Sequence, residues 1–307
     1  MNESLMPKII RIATRKSPLA LWQATRVSEL LKKIDNSINV ELVKITTSGD
    51  KILDKPLYNI GGKSLFLKEL EQSLLNKDCH IAVHSMKDMP AELHKDLIIS
   101  AILEREDSRD VLICKKFNSL SEFTKNSTIG TSSIRRICNL KYEYPNIQIT
   151  DMRGNIDTRI KKIDNNEIDG IILAAPGVKR LGLEKYITSY MNKEVWIPAI
   201  GQGAIGIESR KDNLIINNLI NKLNHKLTSL CVNAEREVSK FFEASCSTPI
   251  AANAIINNNK IIISSMIGSI DGNKKIYHKE NGLVEDSQKI GRKVAIGLEG
   301  KGARKLL

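Results

Sequence analysis

The stretch from Ile81 to Pro90 reads I-A-V-H-S-M-K-D-M-P, an apolar run that breaks into a polar turn carrying a cation, Lys87, beside a carboxylate, Asp88. Ile81, Ala82 and Val83 are too few for a helix and β-rich in type, and Pro90 forbids continuation as a ladder, so the pair stands at a strand's carboxyl end. In open α/β sheets ligands bind at that edge. A fixed carboxylate next to a cation there suits anion binding together with acid–base work or stabilisation of a passing positive charge. A solvated Lys–Asp pair in a loop accounts for the same residues equally well.

Arginine makes the second set. Seven of the 14 arginines fall between Arg105 and Arg180, whereas most of the 33 lysines are scattered or paired on polar helix faces, as at Lys32-Lys33 and Lys161-Lys162. Three successive strand-to-helix junctions carry arginines. Thr128 to Gly130 runs into the cap Thr131-Ser132-Ser133, with Arg135 and Arg136 in the opening turns beyond. Ile147 to Thr150 ends in D-M-R-G-N, which contains Arg153, and Arg159 lies one turn into the helix after it. Asp169 to Ala174 ends in Pro176-Gly177, followed by Lys179 and Arg180. Near a helix N-terminus an arginine opposes the macrodipole by about 0.3–1 kcal/mol, so helix stability does not explain the placement. A ligand with several carboxylates or phosphates does, because each charge-assisted contact returns about 1.5–3 kcal/mol. Arg11 and Arg15 bracket a similar junction: Lys8 to Ala13 is a β-type run, and Ser17-Pro18 supplies the N-cap and first residue of an amphipathic stretch through about Leu31.

Composition restricts what that ligand is. With 307 residues, 41% hydrophobic and 27% charged, the chain is a globular protein of two or three domains. No apolar run reaches membrane-spanning length, and M-N-E-S-L-M-P-K-I-I lacks the basic-then-apolar layout of a signal peptide, which points to the cytosol and away from membranes. Cys79, Cys114, Cys138, Cys231 and Cys246 are odd in number and never C-x-x-C, against both a disulfide framework and a zinc site. The net charge is +12, but aromatics are 4% and do not interleave with the basic residues, so a small anion is a better partner than nucleic acid.

The elements that must position these residues follow in order. Asn39 to Thr46 is a strand, and Thr47 to Ser64 is a polar, glycine-bearing stretch read as a flap, ending where Gly61-Gly62-Lys63-Ser64 opens a helix to about Leu75. Leu97 to Leu103 is a strand, and E-R-E-D-S-R-D, with Arg105 and Arg109, crosses into a second domain at Val111 to Cys114. Alternating strands and helices imply parallel-type sheets, two of them facing across a cleft. From Trp196, W-I-P-A-I-G-Q-G-A-I-G-I reads as a hinge and then a strand returning to the first domain. Without a strand-led G-x-G-x-x-G, the glycines around Gln202 are weak evidence for a nucleotide. A helix from Thr228 to Phe242, β-type runs at Ala254 to Ile256 and Ile261 to Met266, and a last helix around Glu285 to Leu298 form a small α+β domain. The expected boundaries are 1–103 with 204–223, then 104–203, then 224–307. Cys246 is the one cysteine outside an apparent strand or helix, which suits a presented thiol, although a lone loop cysteine is more often inert.

R-I-A-T-R-K-S-P-L-A-L-W-Q from Arg11, G-G-K from Gly61, A-V-H-S-M-K-D-M-P from Ala82 and G-T-S-S-I-R-R from Gly130 resemble the porphobilinogen deaminase family. The likeness continues through R-G-N-I-D-T-R from Arg153, K-R-L-G-L from Lys179, P-A-I-G-Q-G-A from Pro198 and the cysteine loop, in order along nearly the whole chain. It implies an enzyme that condenses four porphobilinogen molecules head to tail, with loss of ammonia, and releases hydroxymethylbilane. It implies two periplasmic-binding-protein-like α/β domains around a cleft, a small α+β C-terminal domain, and a monomer that uses no metal. Cys246 matches the thioether attachment of a dipyrromethane cofactor and Asp88 the catalytic carboxylate. Ser85, Lys87, Thr131, Ser133, Arg135, Arg136, Arg153 and Asn155 match cofactor-binding positions. Arg11, Arg15, Lys63, Arg105, Arg159, Arg180 and Gln202 match positions that hold porphobilinogen and the growing polypyrrole chain. Asn59 and Ser64 depart from a common lysine and glycine, and A-S-C-S-T-P-I-A departs from the frequent G-G-C form. A non-catalytic two-domain small-anion-binding protein would share the cleft and arginines but have no use for Cys246 or Asp88, and a nucleic-acid binder would explain only the charge.

Overall fold

Ser17 accepts a hydrogen bond from the Ala20 amide at 3.3 Å and Pro18 takes the first helical position, so strand β1 (Ile9–Arg15) passes directly into helix α1 (Pro18–Ile34). Elements are numbered in chain order. The computed structural model describes residues 7–51, 67–245 and 247–307, so Cys246, Lys63, Asn59 and Ser64 lie outside the described residues, as does the flap from residue 52 onwards.

Two compact units contain the described residues, one from within Met1–Ile52, Gly62–Arg105 and Ala204–Ser229, the other from Glu106–Gly203 and Leu230–Leu307. The first is a five-stranded sheet in the order β2 (Asn39–Ile45), β1, β3 (Ile81–Ser85), β10 (Ile205–Arg210), β4 (Leu97–Ile102). Helix α1 turns Ala24, Val27 and Leu31 onto Ile10, Ile12, Val83 and Ile207, an apolar stripe at helical spacing closing the core. Helix α3 (Lys68–Leu75) buries Leu70 and Leu74 with Ala13 and Ala82.

The second unit repeats the pattern strand for strand. Its order is β7 (Gln148–Thr150), β6 (Thr128–Gly130), β8 (Gly170–Ala174), β5 (Asp110–Cys114), β9 (Ser189–Tyr190). Just as β1 runs parallel to β2 and β3 while β10 is antiparallel to β3 and β4, β6 runs parallel to β7 and β8 while β5 is antiparallel to β8 and β9. The expectation of parallel-type sheets is therefore corrected to mixed ones. The strand beside each crossing, β5 or β10, enters its sheet against the direction of the others.

The C-terminal region forms a three-stranded antiparallel sheet of β11 (Ile250–Asn257), β12 (Lys260–Gly268) and β13 (Lys275–Leu283), packed on helices α8 (Lys226–Phe241) and α9 (Ser287–Gly300). Strand β13, K-I-Y-H-K-E-N-G-L, escaped the sequence reading because it has little apolar alternation; it is held by a full ladder from Lys275 on Gly268 to Leu283 on Lys260. This sheet belongs to the second unit. Glu235 on α8 accepts the Gly201 amide at 2.8 Å and the Ala254 amide at 2.7 Å, and Lys275 pairs with Glu143 at 2.7 Å. No helix among the described residues is long and apolar enough to cross a membrane.

Candidate active site

In the first unit Ile12 pairs with Ile81 and Ala13 with Ala82, so β1 and β3 end side by side and bring Arg15 and Ser85 to one edge. Beyond Ser85 the chain makes one 3-10 turn, Met86–Asp88. Met86 anchors it: the residue is 1% exposed, its amide donates to the Ala204 carbonyl at 3.0 Å, and its sulfur lies where a Cβ on Gly206 would come within 2.3 Å. With Met86 held, Lys87 is exposed and Asp88 half-buried, and no ion pair among the described residues consumes the Asp88 carboxylate. Gln23 on α1 donates to the Ser85 hydroxyl at 2.8 Å, and His84 meets Glu208 at 3.1 Å in the core beneath. Gly206→Ala should unseat Met86 and tilt the turn. Overpacking of this kind costs about 1–3 kcal/mol, so both the thermal midpoint and turnover should fall, and an unaltered midpoint and rate would show Met86 free to move aside.

Arg15 pairs with Asp50, which also accepts the Thr47 amide at 3.1 Å and hydroxyl at 2.7 Å. Burial alone would raise the Asp50 carboxyl, but Arg15 and Thr47 outweigh it and hold it below the usual range. Arg11 does not join Arg15 at the junction. Strand β1 extends through Arg15, leaving Arg11 inside it, about 13 Å back along the strand. There its guanidinium reaches the Lys77 carbonyl at 3.4 Å and its amide donates to His80 at 2.9 Å, where β3 begins. Arg105 follows β4, its amide donating to the Thr228 hydroxyl at 3.1 Å.

The second unit is organised around Asp110, a residue the sequence reading passed over. Its only signal was a carboxylate opening the apolar run D-V-L-I-C. Arg135 and Arg136, the second and third residues of α4 (Ile134–Glu143), reach it at 2.7 and 2.8 Å, and the Trp196 indole and Gln202 amide donate at 2.8 and 2.9 Å. Burial opposes ionisation, yet the two guanidiniums overcome it and hold Asp110 far below the ordinary carboxylate range. Gln202, 1% exposed, also donates to the Ser108 carbonyl at 2.6 Å.

Adjacent loops tie the other cations to this pair. The Ser132 hydroxyl donates to the Met152 carbonyl at 2.5 Å and accepts its amide at 2.9 Å, joining the loop after β6 to the one that carries Arg153. Thr131, 2% exposed, donates its amide to the Thr150 carbonyl at 2.9 Å and accepts the Ser133 amide on its hydroxyl at 3.3 Å. Ser133 and Asn155 stand at the N-caps of α4 and α5 (Ile156–Asp164), each accepting the first intrahelical hydrogen bond on its carbonyl and leaving its side chain unused for capping. Arg159 donates to the Gly154 carbonyl at 2.8 Å; burial, then the positive charges of Arg136 and Arg153, push its guanidinium down to about 10 against the pull of Asp151. Arg180 closes α6 (Ala175–Arg180) instead of opening a helix, so the dipole favours it, correcting the expected placement. It donates to the Gly203 carbonyl at 2.6 Å, and burial pushes it down to about 10 despite Glu106.

Arg135, Arg136, Arg153 and Arg159 thus gather at the carboxyl ends of β6 and β7 with Asp110 and Asp151. The Nε atoms of Arg135 and Arg136 are buried without an acceptor among the described residues. Crowded guanidiniums, two of which help push Arg159 down, with donors to spare, fit a group rich in carboxylates such as a dipyrromethane. Fold and site define an α/β protein made to hold a polycarboxylate, with a fixed carboxylate on a strand-end turn. A family model described as porphobilinogen deaminase, dipyromethane cofactor binding domain, matches residues 10–218, and a second, porphobilinogen deaminase, C-terminal domain, matches residues 229–300. The chain belongs to the porphobilinogen deaminase family, transferase-type enzymes of tetrapyrrole synthesis, and its cofactor is a dipyrromethane.

Solved structures with a similar course of chain include the periplasmic VFT2 domain of BvgS from Bordetella pertussis, at 11% identity over 70% of this chain and 86% of that one, TM-score 0.42. Others are a lipoprotein of the YaeC family from Enterococcus faecalis, at 14% identity over 72% and 93%, TM-score 0.43. The periplasmic aliphatic sulphonate binding protein SsuA from Escherichia coli matches at 12% identity over 76% and 70%, TM-score 0.41.

Proposed function

We propose that this chain condenses four porphobilinogen molecules head to tail, releasing ammonia at each addition and finally, by addition of water, the linear tetrapyrrole hydroxymethylbilane, as a cytosolic monomer. The observation that supports this most is the crowding of Arg136 and Arg153 around Arg159, where their positive charges add to burial in pushing the Arg159 guanidinium down, because each pyrrole brings two carboxylates and the product accumulates them in one place. Bound through Cys246, the dipyrromethane supplies the free pyrrole carbon that takes the first unit. Arg135, Arg136 and Arg153, with Lys87, Ser85, Thr131, Ser133 and Asn155, hold the carboxylates of the cofactor. Arg15, Lys63, Arg105, Arg159 and Arg180 hold those of substrate and chain; Gln202, 1% exposed and with its amide given to Ser108 and Asp110, is left out. Arg11 is left out, because it lies inside β1, about 13 Å back along the strand from Arg15. Asp88 meets the positive charge that develops on the incoming pyrrole as ammonia leaves, and its place on an anchored turn means it needs no reorganisation at that moment.

The test is purified protein with porphobilinogen, expected to release one ammonia per pyrrole and a linear tetrapyrrole. Binding without ammonia would instead support the small-anion-binding alternative. Arg159→Gln removes a partly buried partner of a carboxylate and should lower kcat/KM by about 10- to 150-fold, the equivalent of about 1.5–3 kcal/mol. Unchanged steady-state constants would take Arg159 out of the site.

A further inference from the structure

Asp110 opens β5 and is 0% exposed, so no ligand can reach it directly. Both of its oxygens are used: Oδ1 by Arg136 and Gln202, Oδ2 by Arg135 and Trp196. Two of these donors lead on to further contacts. The residue after Trp196 is Ile197, whose carbonyl accepts Arg135 Nη1 at 3.1 Å. The residue after Gln202 is Gly203, which takes φ 92° and turns its carbonyl to Arg180 Nη2 at 2.6 Å. One carboxylate is therefore linked to the directions of three guanidiniums, two by direct contact and one through a glutamine and a strained turn that glycine alone adopts readily.

A fold that needed only stability would not choose this arrangement. Buried ion pairs seldom outperform well-packed apolar residues of the same volume, since both charges must be stripped of water. We infer that Asp110 is a positioning residue for the arginine set: it touches no ligand, and it fixes the orientation of Arg135, Arg136 and Arg180 towards the carboxylates they bind. The inference rests on the proposed function for the identity of those carboxylates. Without the negative charge, Arg135 and Arg136 are adjacent like charges in a buried site, and they turn apart.

The experiment compares wild type, Asp110→Asn, Asp110→Glu and Trp196→Phe as full-length proteins. Intact mass reads cofactor occupancy, calorimetry reads porphobilinogen binding, steady-state kinetics read kcat and KM, and a thermal scan reads folding. In Asp110→Asn, occupancy should fall below a tenth of wild type, or the loaded fraction should bind porphobilinogen at least tenfold more weakly, with kcat per loaded molecule changing less than KM. Asp110→Glu keeps the charge and should recover part of that loss. Trp196→Phe removes one hydrogen bond and leaves the ion pairs, and should raise KM two- to fivefold at nearly constant kcat. A folded Asp110→Asn with full occupancy and wild-type binding overturns the inference, whatever its thermal midpoint. If Asp110→Asn does not fold, an unchanged KM in Trp196→Phe overturns it instead. Because binding is read apart from turnover, a wild type that binds porphobilinogen without releasing ammonia refutes the reaction and still decides the role of Asp110.

Discussion

Cys246→Ser should purify as an unmodified polypeptide with no measurable turnover of porphobilinogen, whereas the wild-type peptide containing Cys246 should carry the mass of two condensed pyrroles. The argument is one of nucleophilicity. A thioether forms from the thiolate, and a serine hydroxyl offers no comparable anion near neutral pH. The other thiols are poorly placed to take over. Cys79 and Cys138 are 0% exposed and Cys231 7%. Burial pushes the Cys138 thiol up to about 11 and raises Cys79 as well, so little thiolate exists at either. Cys114 is half-buried and its sulfur accepts the Phe117 amide at 3.4 Å. Peptide mapping checks the result. An adduct on any other cysteine, or a fully active wild type with an unmodified Cys246, would sink the assignment.

Asp88→Asn keeps the shape of the side chain and removes its charge at every condensation. Fixed charges of this kind in a site shielded from water are worth about 2.7–4 kcal/mol to a developing opposite charge, so each addition should slow by roughly 100- to 1000-fold. Asp88→Glu retains the charge but displaces it, and should lose less. Since the role recurs at each step, the Asn variant should accumulate incomplete chains, seen as a ladder of covalent masses at timed intervals. The thermal midpoint is the control. Asp88 is half-buried on a turn held by Met86, not by its own carboxylate, so the midpoint should barely move. A wild-type single-turnover rate in Asp88→Asn would return Lys87-Asp88 to an ordinary solvated pair.

Much of the architecture was legible because it is local. The Ser17-Pro18 cap, the short strand Ile81–Ser85 with its polar turn, and the three strand-to-helix junctions of the second unit all depend on residues within a few positions of one another, where capping, proline and hydrophobic period act. Strand β13 was not legible, since its place comes from pairing with β12 and not from its own pattern. The order of the sheets was half legible: alternation implied strands flanked by helices, but the direction of β5 and β10 follows from where the chain enters each sheet.

The arginines mark the limit most clearly. Sequence by itself determined their types, their crowding between Arg105 and Arg180 and the edge of the sheet at which most of them emerge. Tertiary structure alone decided that Arg135 and Arg136 converge on Asp110 with Trp196 and Gln202, that the charges of Arg136 and Arg153 help push Arg159 down, and that Arg11 lies inside its strand with its amide on His80. The partners of Asp110 stand 25 to 92 positions away along the chain. A charge's strength and direction depend on which groups share its water-poor surroundings, and no local pattern records which distant groups the packed strands bring there.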